Sequence, residues 1–329
     1  MSGDRHTTFC RTVPVRTTGG PVAWSHFVTH YVMAPWRADG DRLVRPLCSP
    51  DGLPIAVVGA NRGTTEHPDV HLRIEASRPL DERTVDWAVA TLVSSLGLDE
   101  DVAPFYDELV PGDRVLSAAA ASGLRGARLR RSPGVFEAVV AALAGQNVHF
   151  SRTFQVMDRL CTAFGLPVDT SVGPAWTFPD PATLAEAGEG ALRDCGLGYR
   201  ARLLHRLAKG IVADGIDLDG LSSIDDSAEV RDRLMALHGV GPFTADLVLS
   251  IGLRRPAFHL DSFTRTILTV LYEQPNDDDV LTAFVEDRFG PWRHYAMLLL
   301  TTDTHLWATR LGVDFPIRSE ARYRLQSNS

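Results

Sequence analysis

The residues that most restrict how this chain can fold are His238-Gly239-Val240-Gly241-Pro242, set between two stretches of helical apolar period. Two glycines can take φ values that other residues avoid, so they break a helix. Pro242 restarts one at its first position, where a missing N–H costs nothing. Upstream, Asp225, Asp226 and Ser227 are cap candidates, and Leu234, Met235 and Leu237 supply an apolar face. Downstream, Leu247, Val248 and Ile251 carry a second helix to about Gly252. The pattern is helix, glycine hairpin, helix, then a short connection over 253–260 that delivers Asp261 to the start of another helix. Hairpin N–H groups and a positive helix N-terminus converge on one spot, which suits a phosphate, and a carboxylate follows close behind.

The run Leu234 to Leu268 resembles the helix-hairpin-helix plus Gly/Pro…Asp motif of the HhH-GPD DNA glycosylase superfamily. Within it, the chain is similar to the bacterial DNA-3-methyladenine glycosylase II branch. Two more segments carry the resemblance in the family's order: Pro133-Gly134-Val135-Phe136-Glu137 through Ala144-Gly145-Gln146-Asn147, and Pro291-Trp292-Arg293-His294-Tyr295-Ala296. The resemblance implies an enzyme that flips a damaged base out of duplex DNA and hydrolyses its N-glycosidic bond. Alkylated purines of the 3-methyladenine type are the implied substrates. It also implies a monomeric chain that needs no cofactor.

By that resemblance Asp261 is the catalytic carboxylate. A carboxylate beside C1′ stabilises an oxocarbenium-like sugar and orients the attacking water. Asp before Ser-Phe-Thr-Arg is also good N-cap grammar, and one residue can do both. The implied DNA contacts are Gln146, Asn147, His238, Gly239, Val240, Gly241 and Thr244. Asn147 stands where the family inserts a side chain into the base stack; the bland reading is that Gln146 and Asn147 only cap helix ends. The implied base pocket is Phe243, Asp246, Trp292 and Thr301. Phe243 replaces a Trp of the branch, Asp246 an Asn, and Thr301 another Trp, so a less aromatic pocket with altered substrate choice is expected. Trp292, following a proline at a helix start, also reads as core. Backbone carbonyls of Leu237, Gly239 and Val240 would hold a Na⁺ or K⁺ ion. His149, His238 and His259 have no metal-ligand spacing and read as surface or phosphate-contacting residues.

One lysine, Lys209, stands among 33 basic side chains. Bifunctional relatives carry a nucleophilic lysine where this chain has Phe243, and arginine stays protonated and cannot form a Schiff base. Lys209 falls on the polar face of a helix over 201–211, with Arg202 and Arg206. A glycosylase without strand-cleaving activity is expected.

The net charge of −8 is awkward for a DNA binder. Distribution decides: acids gather at Asp99–Asp101, Asp225–Asp226 and Asp277–Asp279, and bases at Arg125, Arg128, Arg130, Arg131, Arg254 and Arg255. The bases are expected to form a local DNA-binding stripe with a shallow salt dependence. Cys10, Cys48, Cys161 and Cys195 are far apart, which argues against zinc, disulfides and the four-cysteine iron–sulfur loop of some relatives. Mostly buried free thiols are expected. No apolar stretch reaches membrane-spanning length and the N-terminus lacks a signal-peptide core, so a cytoplasmic, nucleoid-associated protein is expected.

The fold expectation is α+β. Residues 1–80 read as a mixed subdomain with an antiparallel sheet, from short apolar runs at Val13–Val15, Phe27–Met33, Leu43–Leu47, Ile55–Val58 and Val70–Ile74. Residues 81–329 read as an all-helical body, with 132–253 as its central part and 81–131 plus 254–329 as the other. Ser132-Pro133 reads as a helix start, 166–180 as an irregular Pro/Gly connection, Pro291–Leu306 as one helix, and the tail from Phe315 as weakly ordered. Three rivals remain: a glycosylase for oxidised or deaminated bases, a non-catalytic helix-hairpin-helix DNA-binding module, and an acidic helical interaction domain.

Overall fold

The computed structural model describes residues 9–318 and 321–322. Five antiparallel strands form the N-terminal sheet: β1 Phe9–Val15, β2 Arg37–Asp39, β3 Arg42–Cys48, β4 Pro54–Asn61 and β5 Val70–Ala76, in the order β1-β5-β4-β3-β2. Phe27–Met33, expected as a strand, instead ends the short helix Trp24–Thr29 and turns away from it. Its Trp24, Phe27 and Val28 join the sheet's core, with Trp24 edge-on to Phe27 at 5.6 Å.

The sheet has two covered faces, so its central strand β4 is buried nearly throughout rather than alternating. On one face Phe27, Ile55, Val57, Leu72 and Ile74 pack with Val85, Ala88 and Leu92 of the helix Glu82–Ser95. That helix belongs to the sheet's core, although its period placed it with the helical body. On this same face Arg45, opposite Val57 and 2% exposed, pairs with Glu137 of the helix Val135–Ala144; on the other face buried Glu75 accepts the Ser171 N–H at 2.8 Å. Ser171 is the turn of a second hairpin, β6 Pro167–Thr170 and β7 Gly173–Trp176. These four-residue strands lie in the expected irregular connection. They are too short, and too interrupted by proline, to show period two; pairing and contact with β4 and β5 hold them extended.

The rest of the described chain is helical around two cores. One joins Val135–Ala144 to the helices Phe150–Phe164, Pro181–Leu192, Arg200–Asp214, Ser227–Met235 and Pro242–Ile251. The other joins Val102–Ala127 to Ser262–Leu271, Asp278–Phe289, Arg293–Thr301 and Thr304–Trp307. The expected single helix over 291–306 is broken at Asp303, whose φ is +53° and whose carboxylate is held by His30 and Arg322. Phe315, expected in a loose tail, is 4% exposed in the second core; residues 319–320 and 323–329 of that tail lie outside the described residues.

Helix starts account for many acids. Asp81, Asp113, Asp180, Asp226, Asp261 and Asp277 each accept a backbone N–H of the turn they open. The helix Val135–Ala144 is different. It begins after Gly134 rather than at Ser132, and Asp219 from another segment takes the Val135 N–H at 3.0 Å. Among the described residues no helix is long and apolar enough to cross a membrane.

Candidate active site

The hairpin forms where the glycines stand. Ser227–Met235 ends at Ala236, and the Val240 N–H closes the turn on the Leu237 carbonyl at 3.1 Å. Only Gly239 needs glycine: its φ is +82°, and a Cβ there would sit 3.3 Å from Leu203. Gly241 has φ −102° and open space around it, so its role is to cap the helix Pro242–Ile251. The expectation that both glycines take unusual φ holds for one. His238 is exposed at the tip, and Val240 is buried beneath it.

Gln146 fastens a second segment to this hairpin. Its Nε2 donates to the Gly239 carbonyl at 3.2 Å and to the Thr244 hydroxyl at 2.8 Å. Thr244 is 1% exposed, so this side chain anchors the loop from inside. Asn147 next to it is exposed, with φ +50°, a left-handed conformation that asparagine tolerates well. Arg200 donates to the Gln146 carbonyl and lies 4.6 Å over the ring of Tyr199, which is 60% exposed. A bare aromatic beside a polar loop is a platform on which a base can stack.

Asp261 caps Ser262–Leu271 in a reciprocal box: its Oδ1 accepts from Thr264 N at 2.7 Å, and its own N–H donates to Thr264 Oγ1 at 2.9 Å. The cap uses Oδ1. The second oxygen, Oδ2, faces the His259 ring, with Nε2 at 3.9 Å, and the Asp261 side chain is 38% exposed. Phe243, in the first turn after the hairpin, meets the same imidazole edge to face at 4.7 Å. Thus Phe243, His259 and Asp261 form one group. His259 is not the surface residue the sequence implied: burial pushes its pKa below the usual histidine value, against the opposing pull of Asp261 and Asp246.

The other pocket expectations separate. Thr301 shares a shallow apolar depression with Phe258, Thr264, Leu268 and Met297, beside the Asp261 cap. Asp246 is turned toward the preceding helix, where Arg231 Nε holds it at 2.6 Å. Trp292 packs on Phe105 and Tyr295 at 5.8 and 5.9 Å and so belongs to the second core. Of the rest of that segment His294, Tyr295 and Ala296 are buried, with Tyr295 donating its O–H to Glu100, while Pro291 is exposed.

The expected arginine stripe is absent from this surface. Arg128 is fully buried and donates to the carbonyls of Gly97, Glu100 and Gly19 at 2.5, 2.8 and 2.8 Å. Arg130 donates to Phe27, His30 and Tyr31 carbonyls, and Arg131 to Glu100. Arg125 pairs with Glu66 and Asp107, Arg254 with Asp99, and Arg255 holds the Ile224 and Asp225 carbonyls. A run of arginines between subdomains finds unpaired carbonyls there, and the guanidinium, with five donors, satisfies several at once. Lys209 is exposed on Arg200–Asp214. Cys161 and Cys195 are buried free thiols, whereas Cys10 and Cys48 are exposed.

Known proteins resemble this chain in sequence and in fold. The chain is 27% identical over 288 residues to a probable N-glycosylase/DNA lyase of Methanothermobacter thermautotrophicus, covering 81% of this chain and 87% of that protein. It is 25% identical over 230 residues to a DNA-3-methyladenine glycosylase of Bacillus subtilis, covering 68% and 74%. The solved 3-methyladenine DNA-glycosylase of Archaeoglobus fulgidus has the same fold, with a TM-score of 0.74 at 23% identity, covering 88% of this chain and 97% of that one. The family model for HhH-GPD superfamily base excision DNA repair proteins matches residues 140–308, just over half of the chain's 329 residues, from the helix before Gln146 through the hairpin and Asp261 to the last helices. The chain belongs to the HhH-GPD superfamily of base excision DNA repair proteins.

Proposed function

We propose that the protein is a monofunctional DNA glycosylase that removes alkylated purines, of the 3-methyladenine type, from duplex DNA. The observation that carries this reading is the group Phe243–His259–Asp261: an aromatic ring stands in the first turn after the hairpin, and a carboxylate oxygen lies open beside it. The hairpin and the N-terminus of Pro242–Ile251 would grip a phosphate, and Asn147 would fill the space left by the flipped nucleotide. A cationic purine stacks on Phe243, and its weakened bond supplies part of the selectivity. As the C1′–N bond breaks, its electrons leave with the base, and Asp261 Oδ2 stabilises the cationic sugar. Water then adds to C1′ and loses its proton to the carboxylate or to solvent, leaving an intact strand with an abasic site.

Phe243 and the exposed placement of Lys209 on Arg200–Asp214, outside the hairpin motif, support hydrolysis without a Schiff base. The relative named a 3-methyladenine glycosylase supports the alkylated substrate. One finding favours a second reading, a glycosylase for oxidised bases: the Methanothermobacter relative is named an N-glycosylase/DNA lyase. Duplexes carrying 3-methyladenine, 7-methylguanine, ethenoadenine, hypoxanthine or 8-oxoguanine, scored for alkali-dependent nicking, decide between them. Excision of the alkylated bases with no borohydride-trapped adduct is expected. Preference for 8-oxoguanine, or efficient trapping, overturns the proposal.

The hairpin would hold Na⁺ or K⁺ through the Leu237, Gly239 and Val240 carbonyls. Leu237 and Gly239 each accept one hydrogen bond, and a carbonyl has two lone pairs, so the donor set fits. The ion would stiffen the turn around the phosphate. The protein would work as a cytoplasmic, nucleoid-associated monomer.

A further inference from the structure

We propose that His259 is the positioning residue of the site: its imidazole holds the reactive oxygen of Asp261 and controls when that carboxylate is available. This deepens the reading of Asp261 as the catalytic carboxylate and rests on it. Three observations place the ring in this role. The Thr264 N–H binds Oδ1 at 2.7 Å, and the single Thr264 hydroxyl proton is shared between Oδ1 at 2.9 Å and the His259 carbonyl, so the carboxylate cannot rotate freely, and its other oxygen faces Nε2 at 3.9 Å. The Thr264 hydroxyl also reaches the His259 carbonyl at 3.0 Å, which fixes the histidine backbone to the same cap. Phe243 walls the ring on another side, edge to face at 4.7 Å, and the His259 side chain is 15% exposed.

A separation of 3.9 Å is too long for a hydrogen bond, and catalytic contacts commonly tighten only around bound substrate. Closing it needs a small rotation of the histidine side chain. With Nε2–H directed at Oδ2, a neutral imidazole donates to the carboxylate without cancelling its charge. A protonated one forms an ion pair and removes the negative field that the cationic sugar requires. The charged groups facing the ring are Asp261 and, from Pro242–Ile251, Asp246, itself paired with Arg231 of Ser227–Met235. Burial is the larger influence and depresses the imidazole pKa, so the ring is neutral at pH 7 and charges in acid. Protonation of His259 therefore adds an ionisation to the acid limb of excision.

The test uses the full-length protein under single turnover with a lesion duplex it excises. His259→Leu is expected to lower the rate on the order of 10-fold, leave DNA affinity unchanged and reduce the acid limb to one ionisation. His259→Gln, whose amide reaches the place of Nε2, is expected to restore much of the rate without restoring that ionisation. A second measurement needs no substrate. The His259 ring resonance, assigned by its loss in His259→Gln, is followed by NMR against pH in the wild type and in Asp261→Asn. Removing the carboxylate charge is expected to move the titration to lower pH. A leucine variant with wild-type rate and acid limb, or a ring that titrates identically in Asp261→Asn, overturns the proposal. Absence of excision on every lesion counts against the glycosylase reading, while the ring titration still decides the His259–Asp261 coupling.

Discussion

Two stretches of this chain look equally suited to DNA when read as sequence, and they end up in opposite environments. Arg125–Arg131 carries four arginines within seven residues; Arg128, Arg130 and Arg131 are spent on carbonyls and a carboxylate inside the molecule, and Arg125 on two surface carboxylates. The hairpin and the segment up to Asp261 carry little net charge, yet they leave a turn, an aromatic ring and a carboxylate oxygen open. Charge density is thus a poor guide to the functional face here. Buried backbone acceptors compete with phosphate for arginine, and they are present at high local concentration once the subdomains meet.

The sharpest contrast comes from one substitution in each stretch. Asp261→Asn keeps the helix cap, because asparagine caps as well as aspartate, and is expected to cut excision roughly 100-fold or more with little change in stability. Single-turnover excision beside a urea melt measures both. Arg128→Met is expected to do the reverse. It strips donors from the carbonyls of Gly97, Glu100 and Gly19 and should cost on the order of 3 kcal/mol or more, with excision per folded molecule unchanged. If Arg128→Met instead weakens DNA binding in proportion to salt while the melt stays put, the comparison collapses.

Gln146→Ala is an intermediate case, because it cuts the tie to Gly239 and Thr244. A loss of about 1 kcal/mol is expected, together with a modest fall in excision. Acid should act on the arginine side of the comparison. His26 is fully enclosed beside Arg130 and stacked on His30 at 4.8 Å, and burial holds its pKa well below 6.5. The unfolded chain binds that proton more readily, so stability is complete above about pH 6.5 and declines as pH falls below it. Asp303, where burial opposes but the His30 and Arg322 bonds prevail, has a lowered pKa and adds a further loss below about 3.8. Melts across pH 2–8 in wild type and His26→Leu test this, the variant losing the upper part of the decline. The smallest effect is expected from Lys209→Met, which should leave both excision and borohydride trapping unaltered.

Local grammar made much of this legible in advance. Glycine, proline and apolar spacing located the hairpin, and Asp226 and Asp261 cap the helices their positions announced. Strands β3, β4 and β5 also follow their apolar runs, Val13–Val15 ends β1, and β2 follows none. Failures came where distant segments decide. Phe27–Met33 ended a short helix against the sheet, 167–176 paired as a hairpin under β4 and β5, and Asp219 capped a helix far from it in sequence. Trp292 and the surrounding PWRHYA residues, matched as a motif, are mostly core.

By itself the sequence determined the local devices: the break at Gly239, the restart at Pro242, the carboxylate on a helix cap, and the absence of lysine beside them. These depend on backbone conformations and on hydrogen bonds reaching a few residues, which a short window specifies. Only the tertiary structure decided that the arginines face inward, that Gln146 fastens its loop to the hairpin, and that His259 lies between Phe243 and Asp261. Each of these depends on which carbonyl, ring or carboxylate another segment brings within a few ångströms, and residue spacing along the chain carries no record of that.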